Sequence, residues 1–159
     1  MRIFIILKNI KPIKQVESVG IEKCILRVLS KDYKANSNSP AFDKSSMDGI
    51  VIKKTDFKKI KKFKIVGELK AGQKFSKDIK KGEAKIIFTG APIPIGSSKI
   101  VIIKENINFI DEKNVIISSN IDLKSNNIRK KGIDFKKGEL CLERNTQLNS
   151  RALSLAYSL

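Results

Sequence analysis

The chain has 159 residues, and its 33 Lys and Arg against 16 Asp and Glu leave a net charge of +17. That length allows one domain or two small ones with a real core. Histidine is absent and the two cysteines, Cys24 and Cys141, lack metal-ligand spacing, which excludes histidine-based catalysis and the common zinc sites.

In chain order, Met1–Leu7 is apolar but too short to span a bilayer, and no small-residue cleavage site follows it. It reads as the end of a helix or strand packed on the core. Val16–Val19 reads as a short extended run broken by Gly20. The apolar positions of Ile21–Leu29 predict a short helix and then a strand. The stretch from Lys34 to Ser39 is polar and reads as loop. A strand is expected at Ile50–Ile52, and a charged surface segment from Lys53 to Lys62. Alternation from Phe63 to Leu69 predicts a half-buried strand, and Ala84–Phe88 another. Ala71–Gln73 and Lys81–Glu83 carry turn residues.

The β-branched run from Lys99 to Lys104 predicts a strand buried on both faces. Ile107–Ile110 and Val115–Ser118 form a predicted hairpin around residues 111–114. Leu123–Gly138 is basic and irregular, Glu139–Glu143 reads as a strand, and Ser150–Leu159 as a helix capped by Asn149 or Ser150. The expected class is α+β, mostly β, with many short strands and short helices. No strand–glycine-loop–helix signature of a dinucleotide fold occurs. Both cysteines fall in apolar-patterned segments and read as small buried hydrophobes of a reducing compartment.

Three strings carry the chemistry. In Ser39-Pro40-Ala41-Phe42-Asp43-Lys44-Ser45-Ser46-Met47-Asp48-Gly49, Pro40 restrains the backbone before it, and Gly49 permits a tight turn after Asp48. A carboxylate fixed in this way can ligate Mg²⁺ beside phosphate oxygens. An isolated Asp-Gly is also a common turn, and Asp43 competes for the same role or caps the next amides. In Phe88-Thr89-Gly90-Ala91-Pro92-Ile93-Pro94, Thr89 offers a hydroxyl, and the amides of Gly90 and Ala91 can receive an oxyanion. The same string also suits a rigid turn between strands. In Asn127-Ile128-Arg129-Lys130-Lys131-Gly132-Ile133-Asp134, the planar fork of Arg129 suits oxyanions. Asp134 can ligate a metal or hold Arg129 in place.

Taken in this order and spacing, the strings resemble the N-terminal region of the molybdopterin molybdotransferase (MoeA-like) family. The matching positions are Pro40, Phe42, Asp43, Ser45, Met47, Asp48 and Gly49; then Ile87, Thr89, Gly90, Ala91, Pro92, Pro94 and Gly96; then Asn127, Arg129, Gly132 and Asp134. Gly67-Glu68 and Ala71-Gly72 lie between them. The resemblance implies coiled, bifurcated β-sheets. A β-rich segment, 41–134, is inserted into a small mixed α/β domain built from 1–40 and 135–159. It implies transfer of molybdate into molybdopterin-adenylate with release of AMP, assisted by Mg²⁺. Asp48, Thr89 and Asp134 match active-site positions, with Asp48 and Asp134 as implied Mg²⁺ ligands, Gly90 and Ala91 lie beside Thr89, and Arg129 matches a basic position on the same surface. It further implies a cytoplasmic homodimer whose site is completed by an α/β molybdopterin-binding domain, which in the family follows where this chain stops at Leu159. A longer helix precedes the region in the family, so the chain is expected to begin late within it.

Four positions depart from the family pattern: Leu26 for glycine, Ile50 for tyrosine, Lys85 for arginine and Ile133 for glutamate. The departures at Ile50 and Ile133, with the α/β half not in this sequence, support an alternative, a non-catalytic dimerisation or docking module on the same scaffold. The charge alone suggests a polyanion binder. However, lysines are dispersed and arginines number only five, so nucleic acid is not the expected partner, and no membrane association is expected.

Overall fold

The computed structural model describes residues 10–11, 13–118, 121 and 125–159. The expectation for Met1–Leu7 lies outside the described residues. The chain divides into two compact units, one formed by Met1–Ala35 with Leu140–Leu159 and the other by Asn36–Glu139. Among the described residues no helix is long and apolar enough to cross a membrane.

In the unit made from the chain ends, β1 (Tyr33–Lys34) pairs antiparallel with β10 (Leu140–Leu142). Helix α1 (Ser150–Ser158) starts where expected, and the Asn149 side chain accepts the Ala152 amide at 3.0 Å. That bond satisfies one of the amides left open at a helix start. One expectation fails here. The helix expected from Ile21 is a single 3-10 turn, Ile21–Lys23. Leu26 stands at φ +63°, a left-handed conformation that stops any helix. The chain instead runs beside residues 145–148, with Leu26 N–H donating to Leu148 C=O at 2.7 Å and Leu29 N–H to Thr146 C=O at 3.0 Å. Cys24 and Cys141 are only half-buried, which corrects the reading of both as buried.

The larger unit is organised by one mixed sheet. Its strands are β3 (Gly49–Lys53), β4 (Lys62–Leu69), β5 (Glu83–Ile87), β6 (Lys99–Ile103), β7 (Ile107–Asp111) and β8 (Asn114–Ile117), in the spatial order β6-β3-β5-β4-β8-β7. All pairs are antiparallel except β4 with β5. At β3 and β6 the sheet is buried on both faces, which explains their unbroken β-branched runs. Ile50, Ile52, Ile100 and Ile102 pack with Phe63, Ala84, Ile107, Val115 and Ile117 on one face. Val51 and Val101 pack with Leu69, Ile87, Ala91 and Ile93 on the other. Each Ile, Val, Leu or Phe among them contributes about 1.5–3 kcal/mol when fully buried.

The segment 53–62 is not wholly surface. Asp56 is buried and its Oδ2 accepts the Gly82 amide at 2.9 Å, tying the turn before β5 to the end of β3. The stretch expected to be irregular contains β9 (Ile128–Arg129), which pairs with β2 (Lys44–Ser45).

Candidate functional site

The three strings meet on β2. On one side, Lys44 pairs with Arg129 and Ser45 with Ile128. On the other, Ser45 N–H donates to Ala91 C=O at 2.9 Å, Gly90 N–H donates to Ser45 C=O at 2.9 Å, and Ile93 N–H donates to Asp43 C=O at 3.0 Å. A short stretch of one string is therefore the middle strand between the other two. Buried Ser45 fixes the chain that follows: its hydroxyl donates to Met47 C=O at 2.6 Å and accepts the Met47 amide at 3.3 Å. Asn127, at φ +54°, donates its side-chain amide to Val101 C=O at 2.9 Å and so anchors the third string to β6.

Asp48 and Thr89 are brought together. Asp48 Oδ1 accepts the Thr89 backbone amide at 2.8 Å and the Thr89 hydroxyl at 2.7 Å. These two bonds, amide first and then hydroxyl, hold the Asp48 carboxyl below the usual range, and the charge of Lys104 adds to them. Gly49 does not make the expected turn. It is the buried first residue of β3, at φ +157°, and a Cβ there would overlap the Ile102 carbonyl. The glycine is required by the close approach of β6.

Arg129 and Asp134 are also brought together. The Arg129 guanidinium pairs with Asp134 Oδ1, and Ser39 Oγ donates to Asp134 Oδ2 at 3.2 Å. The backbone closes the same corner, with Asp134 N–H donating to Ser39 C=O at 2.9 Å and Gly132 N–H to Pro40 C=O at 2.9 Å. The peptide bond between Ser39 and Pro40 is cis. Asp43 receives Lys130 Nζ at 2.7 Å and the Lys131 amide at 2.8 Å. Burial pushes the Asp43 carboxyl up, but the bonds from Lys130 and Lys131 outweigh it and the net shift is downward.

Among the described residues no hydrogen bond joins the Asp48–Thr89 pair to the Arg129–Asp134 pair; the backbone of β2 and β9 connects them. The amides of Gly90 and Ala91 are a correction. Gly90 N–H is taken by Ser45 C=O and Ala91 N–H by Phe88 C=O at 3.0 Å, so neither is free for an oxyanion. These residues build the loop that aims Thr89.

The donor set for a divalent cation is small. Among the described residues no group of three or more His, Cys, Asp or Glu side chains gathers. Asp134 has both oxygens engaged, whereas Asp48 Oδ2 carries no hydrogen bond among the described residues. One open carboxylate oxygen fits Mg²⁺, which commonly takes one or two carboxylates and completes its shell with water and phosphate oxygens.

One network has no signal in the strings. The ammonium of Lys99, almost wholly buried, pairs with Asp78 and bonds the Ser97 carbonyl. The Lys99 bond, aided by the amides of Ser97 and Ile79, holds the Asp78 carboxyl far below its ordinary value. The network fixes the Gly96–Ser98 turn, which borders a cleft of about 260 Å³ also lined by Asp43, Asn126 and Lys130.

A six-stranded mixed sheet, joined through β2 to an acid–hydroxyl clasp and an arginine–acid corner, has counterparts among known proteins. The family model of the MoeA N-terminal region (domain I and II) matches residues 2–159. The chain belongs to that family. It is 32% identical over 145 residues to the molybdopterin molybdenumtransferase of Haemophilus influenzae, covering 91% of this chain and 35% of that protein. The enzyme of the same name from Staphylococcus aureus is 29% identical over 143 residues, 87% of this chain and 33% of that protein. A molybdopterin biosynthesis moeA protein from Pyrococcus horikoshii OT3 superposes with a TM-score of 0.83 at 26% identity, over 96% of this chain and 41% of that chain. The chain thus spans about a third of the length of these curated relatives.

Proposed function

We propose that this chain is the N-terminal part of a molybdopterin molybdotransferase that inserts molybdate into molybdopterin-adenylate and releases AMP. The observation that carries the reading is the Asp48–Thr89 clasp, joined through β2 to the Arg129–Asp134 corner.

Both substrates are anionic, so an unassisted Asp48 would repel them. When bound, Mg²⁺ supplies charge neutralisation of the phosphate oxygens. Asp48 would hold the cation through its open oxygen. Thr89 fixes the other oxygen and keeps the carboxylate ionised. Arg129 offers its fork to an oxyanion, and Asp134 acts as a positioning residue that fixes the guanidinium plane. Gly90 and Ala91 serve as the scaffold of the Thr89 loop. The α/β molybdopterin-binding domain completes the site in a homodimer of the cytoplasm.

The test is reconstitution. The chain is mixed with the α/β half of a family member, Mg²⁺, molybdate and molybdopterin-adenylate, and AMP is measured. Release that is lost in Asp48→Asn is expected. No release from a folded mixture contradicts the proposal. One observation favours the second reading, a docking module: Ile133 is 61% exposed in the loop that carries Arg129. Light scattering of the chain with and without the α/β half tests it, and a strict monomer that ignores that half excludes it.

A further inference from the structure

The strand register sets a cation beside Asp48 that none of the three strings contains. In the β3–β6 ladder, Gly49 opposes Ile103 and Ile50 opposes Ile102. Continued by one residue, Asp48 opposes Lys104, and the Lys104 amide donates to the Asp48 carbonyl at 3.1 Å. Lys104 opens the 3-10 turn Lys104–Asn106 just past the end of the ladder, and that backbone bond keeps it next to Asp48. Lys104 is exposed, and among the described residues its ammonium makes neither a hydrogen bond nor an ion pair. Asp48 Oδ2 is likewise open, because Thr89 holds the carboxylate by Oδ1. By contrast Arg129, Lys130 and Lys99 are each paired with an acid.

We propose that Lys104 is an anion-binding residue of this site: its ammonium takes a phosphoryl oxygen of a pyrophosphate-containing substrate whose Mg²⁺ rests on Asp48 Oδ2. The inference deepens the reading above and rests on it for the substrate class. An unpaired cation next to an open carboxylate suits a ligand that carries opposite charges at neighbouring points, and a metal–pyrophosphate complex does so. The Lys104 charge already acts on Asp48, after the two Thr89 bonds, in keeping the carboxyl ionised. A lysine presents a compact point charge with three donors, which fits a phosphoryl oxygen whose position shifts during bond cleavage.

Isothermal titration of the chain with inorganic pyrophosphate in Mg²⁺, at fixed ionic strength, tests this without any turnover. Lys104→Gln should weaken binding about tenfold, the loss of one charge-assisted hydrogen bond. Lys104→Arg should retain most of the affinity. Lys81→Gln, an exposed lysine on the turn before β5, should match wild type. Equal affinity of Lys104→Gln and wild type overturns the proposal, as does equal weakening by Lys81→Gln or no binding by wild type. Far-UV circular dichroism establishes that Lys104→Gln is folded. A chain that binds pyrophosphate through Lys104 but never supports AMP release keeps this inference and discards the transferase reading.

Discussion

Replacing Gly49 by alanine tests how the sheet holds the Asp48 loop. Gly49 is buried between Ile87 of β5 and Ile103 of β6. An alanine Cβ would overlap the Ile102 carbonyl oxygen and lie 2.9 Å from both the Ile102 carbonyl carbon and Ile103 Cα. All three atoms are backbone, so no rotamer change relieves the clash. Two costs follow. Holding a non-glycine residue in this region of backbone space costs about 1–3 kcal/mol. Pushing β3 and β6 apart costs roughly 1–3 kcal/mol more, as for an overpacked core. The sum, about 2–6 kcal/mol, is a large part of an ordinary domain's stability of about 5–15 kcal/mol. The assay is urea denaturation followed by far-UV circular dichroism, since tryptophan is absent and the two tyrosines, Tyr33 and Tyr157, both lie in the other unit. Stability within about 1 kcal/mol of wild type would refute the close-approach account of Gly49.

Three further predictions follow from the same geometry. Leu26→Gly should stabilise the smaller unit by about 0.5–1 kcal/mol, because relief of left-handed strain exceeds the added chain entropy; tyrosine fluorescence during denaturation reads it. Thr89→Val removes the hydroxyl bond but keeps the amide bond, so the Asp48 carboxyl should titrate higher, as followed by carbon NMR of the carboxylate. The sign is that of a depressed acid: its contribution is present above the unfolded pKa and is lost as pH falls through the folded one, so in the variant the loss should be smaller and complete at higher pH. Asp78→Asn leaves the buried Lys99 ammonium without its carboxylate and should cost about 2 kcal/mol at neutral pH, measured by urea denaturation.

Legibility in the sequence followed from how local each cause is. Strands β3 and β6 were readable because β-branched runs describe a buried ladder without reference to anything distant, and β7 and β8 because two short apolar runs flank a turn at residues 111–114. The helix after Ile21 was misjudged because its apolar spacing says nothing of Leu26 adopting a left-handed backbone, which only the pairing with residues 145–148 makes tolerable. Asp48 and Thr89 were legible as a pair through the resemblance of their strings. The fate of the Gly90 and Ala91 amides was not, since it depends on β2 passing alongside them. Lys104 and Lys99 are two lysines among many. Only strand register distinguishes the first and only burial against Asp78 the second.

The central claim is that Asp48, clasped by Thr89, works on an anionic substrate in concert with the corner held by Arg129. AMP release in the reconstituted mixture measures it most directly. The account expects release from wild type and a loss of about 10²–10³-fold in Asp48→Asn, the scale of removing one electrostatic stabiliser. An Asp48→Asn rate equal to that of wild type would contradict it.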